Sequence, residues 1–314
     1  MQGVNTIAAL AAAVSRKHSV AHLGRARLGR KAGLMLAAVA AGLALSLPAH
    51  ADNPNKGKMF KVAADVGLVP FFMRGTDGKM DGFSNDLTQE VAQRMGYDGA
   101  EVIDTPFSAI FAGLFSSRYD MVAAPTNTTQ ERAQQMLFAE PYMAGGLSFL
   151  AKKGATVNSL EDLKDKTIAV NNGSFSDRWL QESQEKYGYK IQRFNKNTDA
   201  VQAVAIGRAF ANMSETPLAR YIATKTPALA PVYDMTTEAN YAFAFRKDDT
   251  ALRNRVDEVL ECMKQDGSLS KLHMKWFGTE PNAGTAMTVV FPGYGAPDFP
   301  GYEPTEHTPD CSRP

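Results

Sequence analysis

The stretch Thr167-Ile168-Ala169-Val170-Asn171-Asn172-Gly173-Ser174-Phe175 decides the fold class. A short β-branched and apolar run, Thr167–Val170, reads as a strand. Asn172-Gly173-Ser174 reads as a turn, and Ser174 opens a helix over Phe175–Tyr187. The same strand–turn–helix unit recurs on both sides. Upstream, strands are expected at Met59–Ala64, Glu101–Ile103, Met121–Ala124 and Leu147–Leu150, with helices at Phe83–Met95 and Phe107–Phe115. Downstream, Ile191–Phe194, Ala209–Met213 and Tyr241–Phe245 read as strands. Helices are expected at Ser159–Leu163, Asp199–Ile206, Pro217–Thr224, Thr250–Asp266 and Ser268–Trp276. Such alternation, repeated twice, predicts two α/β units built on mostly parallel sheets flanked by helices. In open α/β sheets ligands bind beyond the carboxyl ends of the strands. The loops after Ala64, Ala124, Val170 and Met213 are therefore the places to look for chemistry.

The first 51 residues do not join this pattern. They hold six basic residues and no Asp or Glu, then the apolar run Ala32–Leu47 and the A-x-A pattern Ala49-His50-Ala51. This order predicts a secretory signal peptide cleaved after Ala51; an uncleaved anchor is the alternative. A run of 16 residues is short for a membrane span. No Arg-Arg pair marks the twin-arginine route, and no Cys at the cleavage site marks a lipoprotein. The chain's net charge of +1 thus averages two unlike parts: residues 52–314 carry 28 Lys and Arg against 33 Asp and Glu, roughly −5. That sign argues against nucleic acid as a partner. With 44% hydrophobic and 21% charged residues, the exported part is expected to be soluble and large enough for two lobes.

Cys262 and Cys311 are the two cysteines. An even count in an exported chain predicts a disulfide between them. Neither His273 nor His307 has ligand spacing to a cysteine, so no metal or other cofactor is expected. Beyond Gly278 the composition turns to Pro and Gly, with the repeat Phe291-Pro292-Gly293-Tyr294 and Phe299-Pro300-Gly301-Tyr302. Proline excludes a helix or central strand here. The tail reads either as a strap pinned by Cys311 or as a partner-docking segment of polyproline type; the tether favours the strap.

The loops carry the candidate ligand groups. After the first strand come Asp65 and Leu68, with Pro70 and Phe71 to shape a wall; Asp65 also reads as a turn cap. After the third strand, Ala124-Pro125-Thr126-Asn127-Thr128-Thr129 is dense in hydroxyl and amide groups and leads to Arg132. A guanidinium there can grip a carboxylate through two parallel bonds, or simply be solvated. Gly173 permits close backbone approach, and Ser174 and Phe175 begin a helix whose amides can meet an anion; plain capping by Ser174 is the alternative. Glu215 can pair with an ammonium group or serve as a helix N-terminal acid. Together these groups suit an α-amino acid, its carboxylate on Arg132 and Ser174, its ammonium on Glu215, its side chain between Asp65 and Phe107.

Five segments taken in order resemble the family 3 periplasmic solute-binding proteins of amino-acid ABC importers. They are Asp77–Phe83 with Asp86-Leu87; Phe107–Leu114; Thr129–Arg132 followed by Phe138–Tyr142; Leu163–Val170 with Asn172–Ser174; and Asp266–Ser268 with Lys275–Gly278. The likeness spans about residues 57–278. It implies a two-lobed, type II periplasmic-binding-protein fold with two crossover hinge strands near Ser148–Lys152 and Ala242–Arg246. The implied division is 52–148 for the first lobe, 149–241 for the second, 242–278 for the return to the first, and 279–314 for the tail. It further implies a binding protein rather than an enzyme: a periplasmic monomer that delivers its ligand to permease subunits of an ABC transporter. Arg132 would hold the ligand carboxylate, Phe107 would stack on its side chain, Ser174 and Phe175 would offer N–H groups, and Glu215 would take the ammonium. Leu68 stands where an aromatic is common, and Glu215 is one methylene longer than the usual Asp. A periplasmic cyclohexadienyl-dehydratase-like enzyme on the same fold is the second reading. A sensory module of a larger receptor is the third.

Overall fold

A computed structural model describes residues 53–312. The leader expected over residues 1–51 and its cleavage after Ala51 lie outside the described residues. Two sheets organise the rest. The first runs Gly99–Asp104, Met59–Ala64, Met121–Asn127, Asn240–Phe245, Leu137–Phe138. Its first three strands are parallel, and Asn240–Phe245 joins them antiparallel. The second runs Lys190–Phe194, Thr167–Asn171, Ala211–Glu215, Leu147–Lys152, Leu229–Met235. Here too three strands are parallel, and Leu147–Lys152 enters antiparallel. Each lobe thus receives its antiparallel strand from the chain arriving out of the other. The parallel strands end toward the same cleft.

The crossings occupy residues 145–146 and 236–239. The expected crossover segments Ser148–Lys152 and Ala242–Arg246 lie just past these points, within Leu147–Lys152 of the second sheet and at the end of Asn240–Phe245 of the first. The two crossings touch: the Gly145 amide donates to the Ala239 carbonyl at 3.1 Å. A Cβ on Gly145 would collide with that carbonyl, which is the reason for glycine at this point.

The strand expected at Ala209–Met213 runs Ala211–Glu215, the two-residue strands Met73–Arg74, Met80–Asp81, Leu137–Phe138 and Met143–Ala144 lie outside the expected pattern, and two further departures involve proline. Met121–Asn127 continues through Pro125 instead of ending at Ala124. Its pairing with Met59–Ala64 covers only Met121 and Val122, and its pairing with Asn240–Phe245 shifts register between Ala242 and Ala244. Pro125 sits past the ladder with Met59–Ala64 and inside this register shift, where a missing donor costs little. Leu229–Met235, which the prolines concealed, is an edge strand with a register shift after Pro231.

Helix Thr250–Gln265 is enclosed on nearly all sides. Val256, Leu260 and Met263 pack into the first lobe's core, while Arg253, Asp257, Glu261 and Lys264 are also buried. Buried charges require partners, and residues beyond Gly278 supply several. Arg253 donates to the Gly301 carbonyl at 2.9 Å and pairs with Glu303 at 2.8 Å. Asp257 accepts from the Gly295 and Glu140 amides. Lys264 pairs with Glu140 at 2.9 Å and donates to the Val289 carbonyl. His307 meets Glu261 at 3.0 Å and stacks on Tyr294. The tail lies across this helix as a strap, and the Cys262–Cys311 disulfide is formed across a separation of 49 residues. Replacing both cysteines by serine should lower unfolding free energy by about 2–4 kcal/mol in urea denaturation. Unchanged stability would mean that packing alone holds the strap.

Candidate functional site

Asp65, the residue after strand Met59–Ala64, is fully buried. One carboxylate oxygen accepts the Phe107 amide at 3.2 Å and Asn171 Nδ2 at 3.0 Å. The other accepts Lys196 Nζ at 2.8 Å. Phe107 belongs to the first lobe; Asn171 and Lys196 belong to the second. Lys196 reaches back to Asp104 as well, at 2.6 Å. Asp65 is therefore a tie between lobes, its carboxylate engaged by Phe107, Asn171 and Lys196. Glu131 and Arg178 form another ion pair across the cleft. Gly173 completes the contact: its φ is +75°, and a Cβ there would lie 3.1 Å from Ser108 Cα on the opposite lobe. The lobes are closed on each other.

Between them lies a narrow cavity. Leu68, Phe107 and Pro125 of the first lobe face Met213 and Leu218 of the second. Polar lining comes from the second lobe alone: Asn171, Ser174, Ser176, Asn197, Ser214 and Glu215. Asn171 Oδ1, Ser176 Oγ, Asn197 Nδ2 and Ser214 Oγ are buried without a protein partner. Unpaired buried polar atoms are costly, so these four are open to hydrogen bonds from a group held in the cavity.

Arg132 flanks the cavity at a neighbouring hollow lined also by Phe111, Gly173 and Phe175. Thr129 caps its helix, Gln130–Gln135, by accepting the Arg132 amide at 3.2 Å. The guanidinium donates to the Asn127 carbonyl at 3.0 Å and lies over the rings of Phe107 and Phe111 at 5.5 and 5.3 Å. Burial lowers its pKa to about 10, with Glu215 acting in the opposite direction, so it is cationic at neutral pH. Burial raises the Glu215 carboxyl, while a hydrogen bond to its own backbone and the charge of Arg132 hold it down. One cation and one acid thus face each other from different lobes.

The remaining candidates take supporting places. Ser174 caps helix Phe175–Tyr187 by accepting the Asp177 amide, and Asp177 in turn accepts the Gly173 amide. The Ser174 amide donates to the Asn171 carbonyl at 3.3 Å. Phe175, at the first helical position, keeps an amide with no intrahelical acceptor. Ala124, Thr126 and Asn127 are buried strand residues outside the cavity lining. The Thr126 hydroxyl bonds the Ala124 carbonyl, and Asn127 positions Arg132. Sequence reasoning missed Pro125, Asn171, Ser176, Asn197, Met213, Ser214 and Leu218. Asn171 and Ser176 adjoin the Asn172-Gly173-Ser174 turn, and Asn197 follows the carboxyl end of Lys190–Phe194, a loop that the strand-end rule also covers.

A sequence profile of the bacterial extracellular solute-binding proteins, family 3, matches residues 60–279. The L-cystine-binding protein TcyJ of Escherichia coli K12 is 29% identical over 267 residues, covering 83% of this chain and 98% of that protein. An ancestral arginine-binding protein bound to arginine superposes with a TM-score of 0.67 at 30% identity, covering 71% of this chain and 99% of that one. The ancestral amino acid-binding protein AncCDT-1, a precursor of cyclohexadienyl dehydratase, gives a TM-score of 0.63 at 32% identity over 71% of this chain and 95% of its own.

Gly173→Val should keep the lobes apart, because a β-branched side chain meets Ser108 and a left-handed conformation that costs it about 1–2 kcal/mol. Small-angle scattering is expected to report a larger radius of gyration than for the native protein. An unchanged radius would show that this contact does not limit closure.

Proposed function

The chain belongs to the bacterial extracellular solute-binding proteins of family 3, and we propose that it captures an amino acid or a close derivative for an ABC importer. The observation that carries this reading is the placement of Arg132 and Glu215 on opposite lobes beside a buried polar cavity. A ligand bearing both a carboxylate and an ammonium group satisfies both only when the lobes are shut. Arg132 and the Phe175 amide take the carboxylate. Glu215 takes the ammonium, and Phe107 with Leu68 and Pro125 covers the side chain. Binding stabilises the shut form because only that form presents both charges at once. The shut, loaded protein then docks on the permease subunits. Export through the leader, cleavage after Ala51 and action as a periplasmic monomer complete this reading. So do the proposed lobe limits, 52–148, 149–241 and 242–278, with the tail 279–314 as strap.

Glu215 also supports a second reading. A buried carboxyl held above its ordinary range is suited to general acid–base work, and AncCDT-1 shares this fold with a dehydratase lineage. Incubation with prephenate and arogenate separates the two: product formation would favour the enzyme, while binding without turnover favours transport. For the transport reading, a screen of L-amino acids by thermal shift should find ligands that raise Tm. Arg132→Ala should weaken them by roughly tenfold to a hundredfold, the loss of a charge-assisted contact. Unchanged affinity in that variant would remove Arg132 from the clamp.

A further inference from the structure

Glu215 is the one ionisable side chain lining the cavity among the described residues. A second acid, Asp65, stands behind the wall, bonded to the Phe107 amide and to Asn171 Nδ2, and both of these residues line the cavity. Left alone, this carboxylate would attract a cationic ligand side chain toward that end of the cavity. It is not left alone. Lys196 Nζ lies 2.8 Å from Asp65 and 2.6 Å from Asp104. Burial disfavours the Lys196 charge, but the hydrogen bonds it donates to Asp104 and Asp65, with their charges, outweigh it and hold the ammonium above its ordinary pKa. The charge that a ligand would bring is already supplied by the protein.

We propose that Lys196 determines specificity by serving as a built-in counter-ion to Asp65, so that the cavity refuses cationic side chains and selects a neutral hydrogen-bonding one of carboxamide type. This rests on the amino-acid reading of the site. The neutral groups left in the wall define the match. Asn171 gives Nδ2 to Asp65, which leaves Oδ1 as an unpaired acceptor. Asn212 gives Nδ2 to the Ala169 carbonyl and to Asn197 Oδ1, which leaves Asn197 Nδ2 as an unpaired donor. This acceptor and this donor, both buried, complement the NH2 and C=O of a primary amide, and the unpaired Ser176 and Ser214 hydroxyls beside them can turn to either role. A cationic side chain would satisfy the acceptor, leave the donor unpaired, and meet an acid already neutralised.

Isothermal titration with L-glutamine, L-arginine and L-lysine tests this. The native protein should bind L-glutamine at least tenfold more tightly than either cation. Lys196→Met uncovers Asp65 and should raise affinity for L-arginine or L-lysine relative to L-glutamine by tenfold or more. Because Lys196 also ties the lobes, the ratio of affinities is the readout, and the double variant Lys196→Met with Asp65→Asn should lose the gain. Native protein that binds the cations as tightly as L-glutamine would overturn the proposal while leaving the amino-acid reading intact. So would an unchanged ratio in Lys196→Met. No binding of any free amino acid would overturn that reading and the proposal with it.

Discussion

A single buried carboxylate holds the architecture of the cleft. Asp65 has no contact with water, yet it accepts three hydrogen bonds, one from its own lobe and two from the other. A charge in that position is tolerable only with donors supplied on every side. When the lobes part, Lys196 and Asn171 leave, and water must replace them. Closure at this point is thus an exchange of hydration for fixed donors. The Phe107 amide ties this switch to the ring that covers the cavity, and that ring in turn lies under Arg132. The lobe tie and the candidate carboxylate clamp thus meet at Phe107.

Much of the fold was legible because its signals are local. Strand-to-helix alternation, the Gly173 turn and the capping residue Ser174 all act within a few residues, and the helices Phe107–Phe115 and Phe175–Tyr187 lie where the sequence pattern places them. What escaped depends on partners distant in sequence. Pro231 argues against a strand, yet an edge position with a register shift accommodates it. Pro125 argues for the end of a strand, yet the neighbouring ladder has already stopped.

The candidate site is legible in its charges and obscure in its neutral wall. Arg132 and Glu215 stand out in any sequence because a charge near a strand end demands explanation. Asn171, Asn197 and Ser214 do not, since amides and hydroxyls are common in loops and on surfaces. Asp65 is legible by its position after the first strand, but its pairing with Lys196 joins residues 131 apart in the chain. No spacing rule connects them; only the juxtaposition of two sheets does.

The strap over helix Thr250–Gln265 carries a consequence for the order in which the chain can become a protein. The second lobe comes from one continuous stretch between the crossings, so it can fold as soon as that stretch has emerged. The first lobe cannot. Glu140 must wait for Asp257, 117 residues later, and the charges on that helix must wait for Gly295, Gly301 and Glu303. Until Cys311 arrives, the half of the molecule that begins the chain remains unsealed. The lobe begun first is finished last, and a chain shortened by a few dozen residues would present a completed second lobe beside an open first one.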